Sequence, residues 1–161
     1  IFKNIEVSSI ISHTRWASVG NVNLSNCHPL INRGTKNIEF FYMNGDILNY
    51  QHIYNSNLKK KINILEDENC SNDLKCLPNE YKKNKKKLNG SFVIVNHNSL
   101  NLQNININKT GSQGFYSTYN NDDDCFFSSD VYGLVNKSNY FYSLNFTFDC
   151  NFSNKNFKSF L

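Results

Sequence analysis

Ile38-Glu39-Phe40-Phe41-Tyr42-Met43-Asn44-Gly45-Asp46-Ile47-Leu48-Asn49-Tyr50 holds a strand, a turn and the start of a helix in one stretch. Ile38 to Met43 is an apolar run, and it stops at Asn44-Gly45, a pair in which both residues tolerate positive φ. After the pair, Ile47, Leu48, Tyr50 and Ile53 recur at helical spacing, with Asp46 suited to the N-cap.

The segments on either side read mostly as strands. Val7 to Ser12 is rich in β-branched residues and leads into His13-Thr14-Arg15-Trp16-Ala17-Ser18, ending at Gly20, a strand running into a turn. Ser91 to Val95 is a compact strand, Leu102 to Ile107 alternates well enough to be another, and Gln113 to Tyr119 and Cys125 to Ser128 continue the pattern. Tyr140, Tyr142, Leu144, Phe146 and Phe148 alternate with polar residues, which suits one half-buried strand. Asn55 to Asn69 and Asn79 to Asn89 are polar and charged without clear period, fitting short helices or surface excursions. There is no internal repeat. Many strands with few helices predict a largely antiparallel sheet protein with helices packed outside it, an α+β fold.

At 161 residues, with 39% hydrophobic and 14% aromatic residues, the chain has the size of one domain with one real core. It begins Ile1-Phe2-Lys3 and reads as a segment of a longer protein. Its apolar runs fall far short of the roughly 20 residues that span a bilayer, so a soluble protein is expected. Asparagine, Lys, Ile, Phe and Tyr are abundant together; they share A/T-rich codons, so this bias belongs to the genome more than to the function. Cys27, Cys70, Cys76, Cys125 and Cys150 are odd in number and fall at no metal-ligand spacing, which fits idle thiols in a reducing compartment. The net charge is +4, much of it in Lys82-Lys83-Asn84-Lys85-Lys86-Lys87. That run lacks interleaved aromatics, so it reads as a solvated helix end or loop, and no nucleic-acid partner is expected.

Releasing ammonia from an amide side chain requires a nucleophile, an oxyanion hole, a clamp for the amino acid's carboxylate and an anion for its ammonium group. Three of these have candidates here. Arg15 offers a planar fork matched to a carboxylate, at the end of an expected strand. Asn44-Gly45 offers a side-chain amide and an unhindered backbone N–H for a developing oxyanion. Asp73, in Ser71-Asn72-Asp73, carries a charge suited to an ammonium group. By spacing alone these are also what a surface arginine and an ordinary hairpin turn look like.

The order and wording of the set go further. His13-Thr14-Arg15-Trp16-Ala17-Ser18-Val19-Gly20, Asn26-Cys27-His28-Pro29-Leu30 and Asn44-Gly45-Asp46-Ile47-Leu48-Asn49-Tyr50 together resemble the glutaminase domain of the glutamine:fructose-6-phosphate aminotransferases, class II glutamine amidotransferases. Downstream, Ser71-Asn72-Asp73-Leu74-Lys75, Gly90-Ser91-Phe92-Val93-Ile94-Val95, Thr110-Gly111-Ser112-Gln113-Gly114 and Ser128-Ser129-Asp130-Val131-Tyr132-Gly133-Leu134-Val135 look like the family's later segments. The likeness makes residues 1–161 a partial amidotransferase domain and is strongest over 8–142.

The resemblance implies a four-layer αββα N-terminal-nucleophile hydrolase sandwich whose N-terminal part is missing. It implies that Arg15 binds the α-carboxylate of L-glutamine with help from Ser18, that Asp73 takes the α-ammonium, and that Asn44 and Gly45 form the oxyanion hole. Trp16 would gate the ammonia passage, although read alone it is a plain core aromatic. His28 would be a supporting residue near the pocket, and His13 a hydrogen-bonded strand residue rather than a base. The family's nucleophile is an N-terminal cysteine whose own α-amine is the general base; it is absent from this chain and expected upstream of Ile1. Val19 replaces the histidine commoner at that place, and the Lys-rich segment after Pro78 is shorter than the usual helix.

The activity implied is ammonia supply for glucosamine 6-phosphate synthesis from fructose 6-phosphate, in the cytoplasm, with no metal and no organic cofactor. Sugar-phosphate isomerase domains of the same polypeptide and a homo-oligomeric full-length protein are the implied partners. The alternatives are the glutaminase domain of another amidotransferase, of glutamate synthase or amidophosphoribosyltransferase type, and a catalytically inactive amidotransferase-like binding domain.

Overall fold

The computed structural model of the chain describes residues 10–14, 22–33, 37–59, 73, 81, 85–119, 124–137, 142–143 and 148–152. In chain order the regular elements are β1 (Leu30–Arg33), β2 (Ile38–Ile47), α1 (Tyr50–Lys59), β3 (Gly90–Asn98), β4 (Asn101–Thr110), β5 (Tyr116–Tyr119), β6 (Cys125–Ser128), β7 (Tyr142–Ser143) and β8 (Phe148–Phe152). They form a five-stranded sheet of order β1-β2-β3-β4-β8 and a three-stranded sheet of order β6-β5-β7, with every pairing antiparallel.

Side-chain alternation divides the core in two. Phe41, Met43 and Ile47 of β2 and Phe92 and Ile94 of β3 share one face, covered by Ile53 of α1 together with Tyr81 and Leu88. Tyr81 meets Phe41 edge-on, with ring centroids 5.6 Å apart. On the opposite face Val93 and Ile107 pack with Phe115, and Val95, Ile105, Cys125 and Phe127 complete that cluster. The second cluster therefore joins the two sheets. A helix, a five-stranded sheet and a three-stranded sheet lie in that order, and the α+β sandwich expected from the sequence is present.

Several local expectations need correction. Asn44-Gly45 is not a turn: β2 runs through it to Ile47, and Gly45 pairs with Phe92 while holding φ +101. Asp46 lies inside β2, so it does not cap the helix, which starts at Tyr50. Asn49 ends the strand-to-helix connection instead. Its carbonyl accepts the Ile53 N–H at 3.2 Å, its Nδ2 donates to Lys87 O at 2.7 Å, and its Oδ1 accepts the Asn89 N–H at 2.9 Å. Residues 10–14 are irregular where the strand Val7 to Ser12 was expected to end, and 7–9 lie outside the described residues. The single strand expected over Tyr140 to Phe148 is two, β7 in one sheet and β8 in the other. Lys86 and Lys87 are exposed, as a solvated run should be. No helix among the described residues is long and apolar enough to cross a membrane.

Candidate active site

The register of β2 creates the site. Ile38 O accepts from Ser99 N and Leu48 N donates to Asn89 O, so the even-numbered residues of β2 direct their backbone groups to β3. By the same alternation the odd-numbered residues direct theirs to the other edge. β1 covers that edge only as far as the Leu30–Phe41 pair. Among the described residues no strand pairs with β2 beyond Phe41 on this side.

Side chains take over where β1 stops. Two more pairs in the same register would set His28 opposite Met43, and it is the His28 ring that arrives. Met43 N donates to His28 Nδ1 at 3.3 Å, His13 Nε2 lies 2.9 Å from Met43 O, and the two ring nitrogens are 3.0 Å apart. This network assigns the protons: His28 Nδ1 accepts, so its hydrogen is on Nε2, and His13 Nε2 donates toward both Met43 O and His28 Nδ1. Two residues beyond Gly45, the Ile47 N–H donates to Asp73 Oδ2 at 2.8 Å, and Asp73 is buried, only 4% exposed.

Gly45 lies between these two clasps, and the alternation turns its N–H to the same edge. The preceding side chain, Asn44, belongs to the face between the sheets, in a cross-strand row with Val93 and Lys109. The backbone N–H of Gly45 lies at the edge, and the amide of Asn44 belongs to the adjoining face one residue before it. Such a pair suits an oxygen gaining negative charge.

The back of Gly45 is closed. A Cβ there would stand 2.1 Å from Ser91 O, 2.8 Å from Gln113 Cγ and 2.9 Å from Phe92 Cα. Gln113 is held there by a latched turn: Ser112 N donates to Ser91 Oγ at 2.9 Å, and Lys109 Nζ donates to Gly111 O at 2.8 Å. Lys109 is 1% exposed, and burial pushes its pKa below the ordinary lysine value.

Of the residues singled out from sequence, His28 and Asp73 reach the edge of β2 on either side of Gly45, and Asn44 precedes Gly45 with its side chain on the face between the sheets. Arg15, Trp16 and Ser18 lie outside the described residues. His13 is hydrogen-bonded as expected, though from an irregular segment and not from a strand. Lys109 and the Ser91 latch were missed, yet Lys109 continues the Ile105-Ile107 alternation, so its burial was legible as a period of two. Among the described residues no group of His, Cys, Asp or Glu is placed to hold a metal ion. Cys27 is exposed and Cys125 half-buried, both as thiols.

No family model and no curated protein matches the sequence. Solved structures do. The chain is similar to the allosteric regulatory enzyme of purine biosynthesis, with a TM-score of 0.65 at 14% identity over 88% of this chain and 34% of that one. It is also similar to glutamine phosphoribosylpyrophosphate amidotransferase from B. subtilis complexed with ADP and GMP, with a TM-score of 0.62 at 12% identity over 88% and 34% of the two chains. At these identities the likeness establishes the fold, an α+β sandwich shared with an amidotransferase. The chain spans about a third of the length of these proteins.

Proposed function

We propose that the chain is the glutamine-hydrolysing domain of a class II amidotransferase, which releases ammonia from the glutamine side chain for use elsewhere in the full-length protein. The observation that carries this reading is the edge of β2, where Asn44 and the Gly45 N–H stand between a histidine clasp and a buried aspartate on an amidotransferase fold. In this reading an N-terminal cysteine of the full-length protein attacks the amide carbon of glutamine and its α-amine takes the thiol proton. The carbonyl oxygen becomes an oxyanion facing Asn44 Nδ2 and Gly45 N–H. When the tetrahedral adduct collapses, the C–N bond breaks, the amine returns the proton and ammonia leaves. Water then cleaves the thioester to glutamate. Arg15, assisted by Ser18, grips the α-carboxylate, Asp73 the α-ammonium, and Trp16 gates the ammonia.

Two acceptors have support. The wording Trp16-Ala17-Ser18 and Asn44-Gly45-Asp46 with Asn49-Tyr50 favours fructose 6-phosphate and a glucosamine 6-phosphate product. The similarity to a phosphoribosylpyrophosphate amidotransferase favours a phosphoribosyl acceptor. Feeding the full-length protein glutamine with each acceptor in turn separates them by product.

The glutaminase reading has its own test in steady-state hydrolysis of glutamine by the full-length protein. Asn44→Ala should lower kcat by about 10²–10³-fold with little change in KM, the loss typical of one oxyanion donor. Arg15→Ala should raise KM by at least about tenfold, since it removes a bidentate charged contact. Asp73→Asn keeps an oxygen for the Ile47 N–H while losing the charge, so it should raise KM without lowering the unfolding midpoint. An Asn44→Ala protein with unaltered kcat would sink the reading.

A further inference from the structure

We propose that His13 and His28 are positioning residues that set the angle of the oxyanion-binding stretch by gripping both backbone groups of Met43; this rests on the glutaminase reading above. Met43 O belongs to the peptide unit whose N–H is that of Asn44. A bond from His13 Nε2 to that oxygen at 2.9 Å therefore fixes the plane from which Asn44 departs. The bond from Met43 N to His28 Nδ1 at 3.3 Å fixes the preceding plane. The rings brace each other, 3.0 Å between nitrogens and 4.0 Å between centroids, so neither turns without the other. A β1 strand continued to this point would also have held Met43, but it would have laid a backbone along the edge that Gly45 needs open. Two side chains reaching in from outside the sheet grip Met43 and leave Gly45 uncovered. The device matters because a donor must meet the oxyanion within a fraction of an ångström to be worth its full effect, and small displacements cost about 10²-fold in rate.

The grip uses one acceptor nitrogen on His28 and one donor nitrogen on His13, which sets the variants. Asparagine at 28 places an oxygen near the Nδ1 position, and glutamine at 13 places a donor near Nε2. The full-length protein is assayed as wild type, His28→Ala, His28→Asn, His13→Ala and His13→Gln, for glutamine hydrolysis and for amide exchange in the peptide covering residues 42–47. Each alanine variant should lower kcat by about tenfold to a hundredfold with KM within about threefold, and should speed exchange in that peptide. His28→Asn and His13→Gln should restore most of kcat and the slow exchange. Alanine variants with wild-type kcat overturn the proposal, as does a loss confined to KM. Should the alanine variants fail to fold, the asparagine and glutamine variants decide, and low kcat with slow exchange in them overturns it. A wild-type protein that does not hydrolyse glutamine refutes the glutaminase reading instead. Exchange then judges the grip alone, and unchanged exchange in the alanine variants refutes that too.

Discussion

Gly45 holds φ +101 in the middle of a strand, and its missing Cβ is where Ser91 O and Gln113 Cγ come closest. A side chain here meets both a strained backbone and a wall of backbone atoms. Gly45→Ala should destabilise the fold by at least about 3 kcal/mol, measurable as a fall in the urea midpoint with unchanged slope. Positive φ at this residue was legible from the Asn-Gly pair, but the turn was not there, because pairing with Phe92 carries the strand through. His97 shows the other side of residue-scale chemistry. Its ring stacks on Phe40 at 4.8 Å and Tyr42 at 5.9 Å, and burial lowers its pKa from 6.5. The unfolded chain therefore takes up the proton first as pH falls through 6.5, and stability is lost below that value. His97→Phe keeps the stack and removes the titration. Between about pH 7 and about pH 5 the wild type should lose more of its urea midpoint than this variant does.

At the scale of elements, α1 is set by what precedes it. Its sequence has weak amphipathicity and no acidic first turn, so its start depends on Asn49, whose side chain ties it to Lys87 and Asn89 just ahead of β3. Asn49→Ala gives up both bonds in an exposed place and should cost about 1 kcal/mol in chemical denaturation. Helical spacing after Gly45 made the helix visible in the sequence. Its boundary was not visible, because an aspartate at 46 meets every local criterion for a cap and only the register with Ser91 commits it to the strand. The split of the final expected strand has a similar cause. Period-two alternation says that a segment is extended, and nothing in it says which sheet supplies the partner.

Among the described residues the core forms two clusters on opposite faces of one sheet, and Phe115 is central to the one that joins the sheets. It is 4% exposed, stacks on Phe127 with centroids 5.6 Å apart, and packs with Val93 and Ile107. Phe115→Ala should cost about 3–5 kcal/mol by calorimetry or denaturant, because rigid strands on both sides prevent the cavity from collapsing.

By itself the sequence determined the alternation that makes strands, the apolar run of β2 and the glycine whose positive φ the strand requires. Each of these is local, set by side-chain period or by the steric demand of one residue. Only the tertiary structure decided that β1 ends two residues short of Met43, that His13 and His28 take its place, and that a buried Asp73 arrives at Ile47. These depend on register, and register is settled by contacts between segments tens of residues apart, which no local pattern encodes.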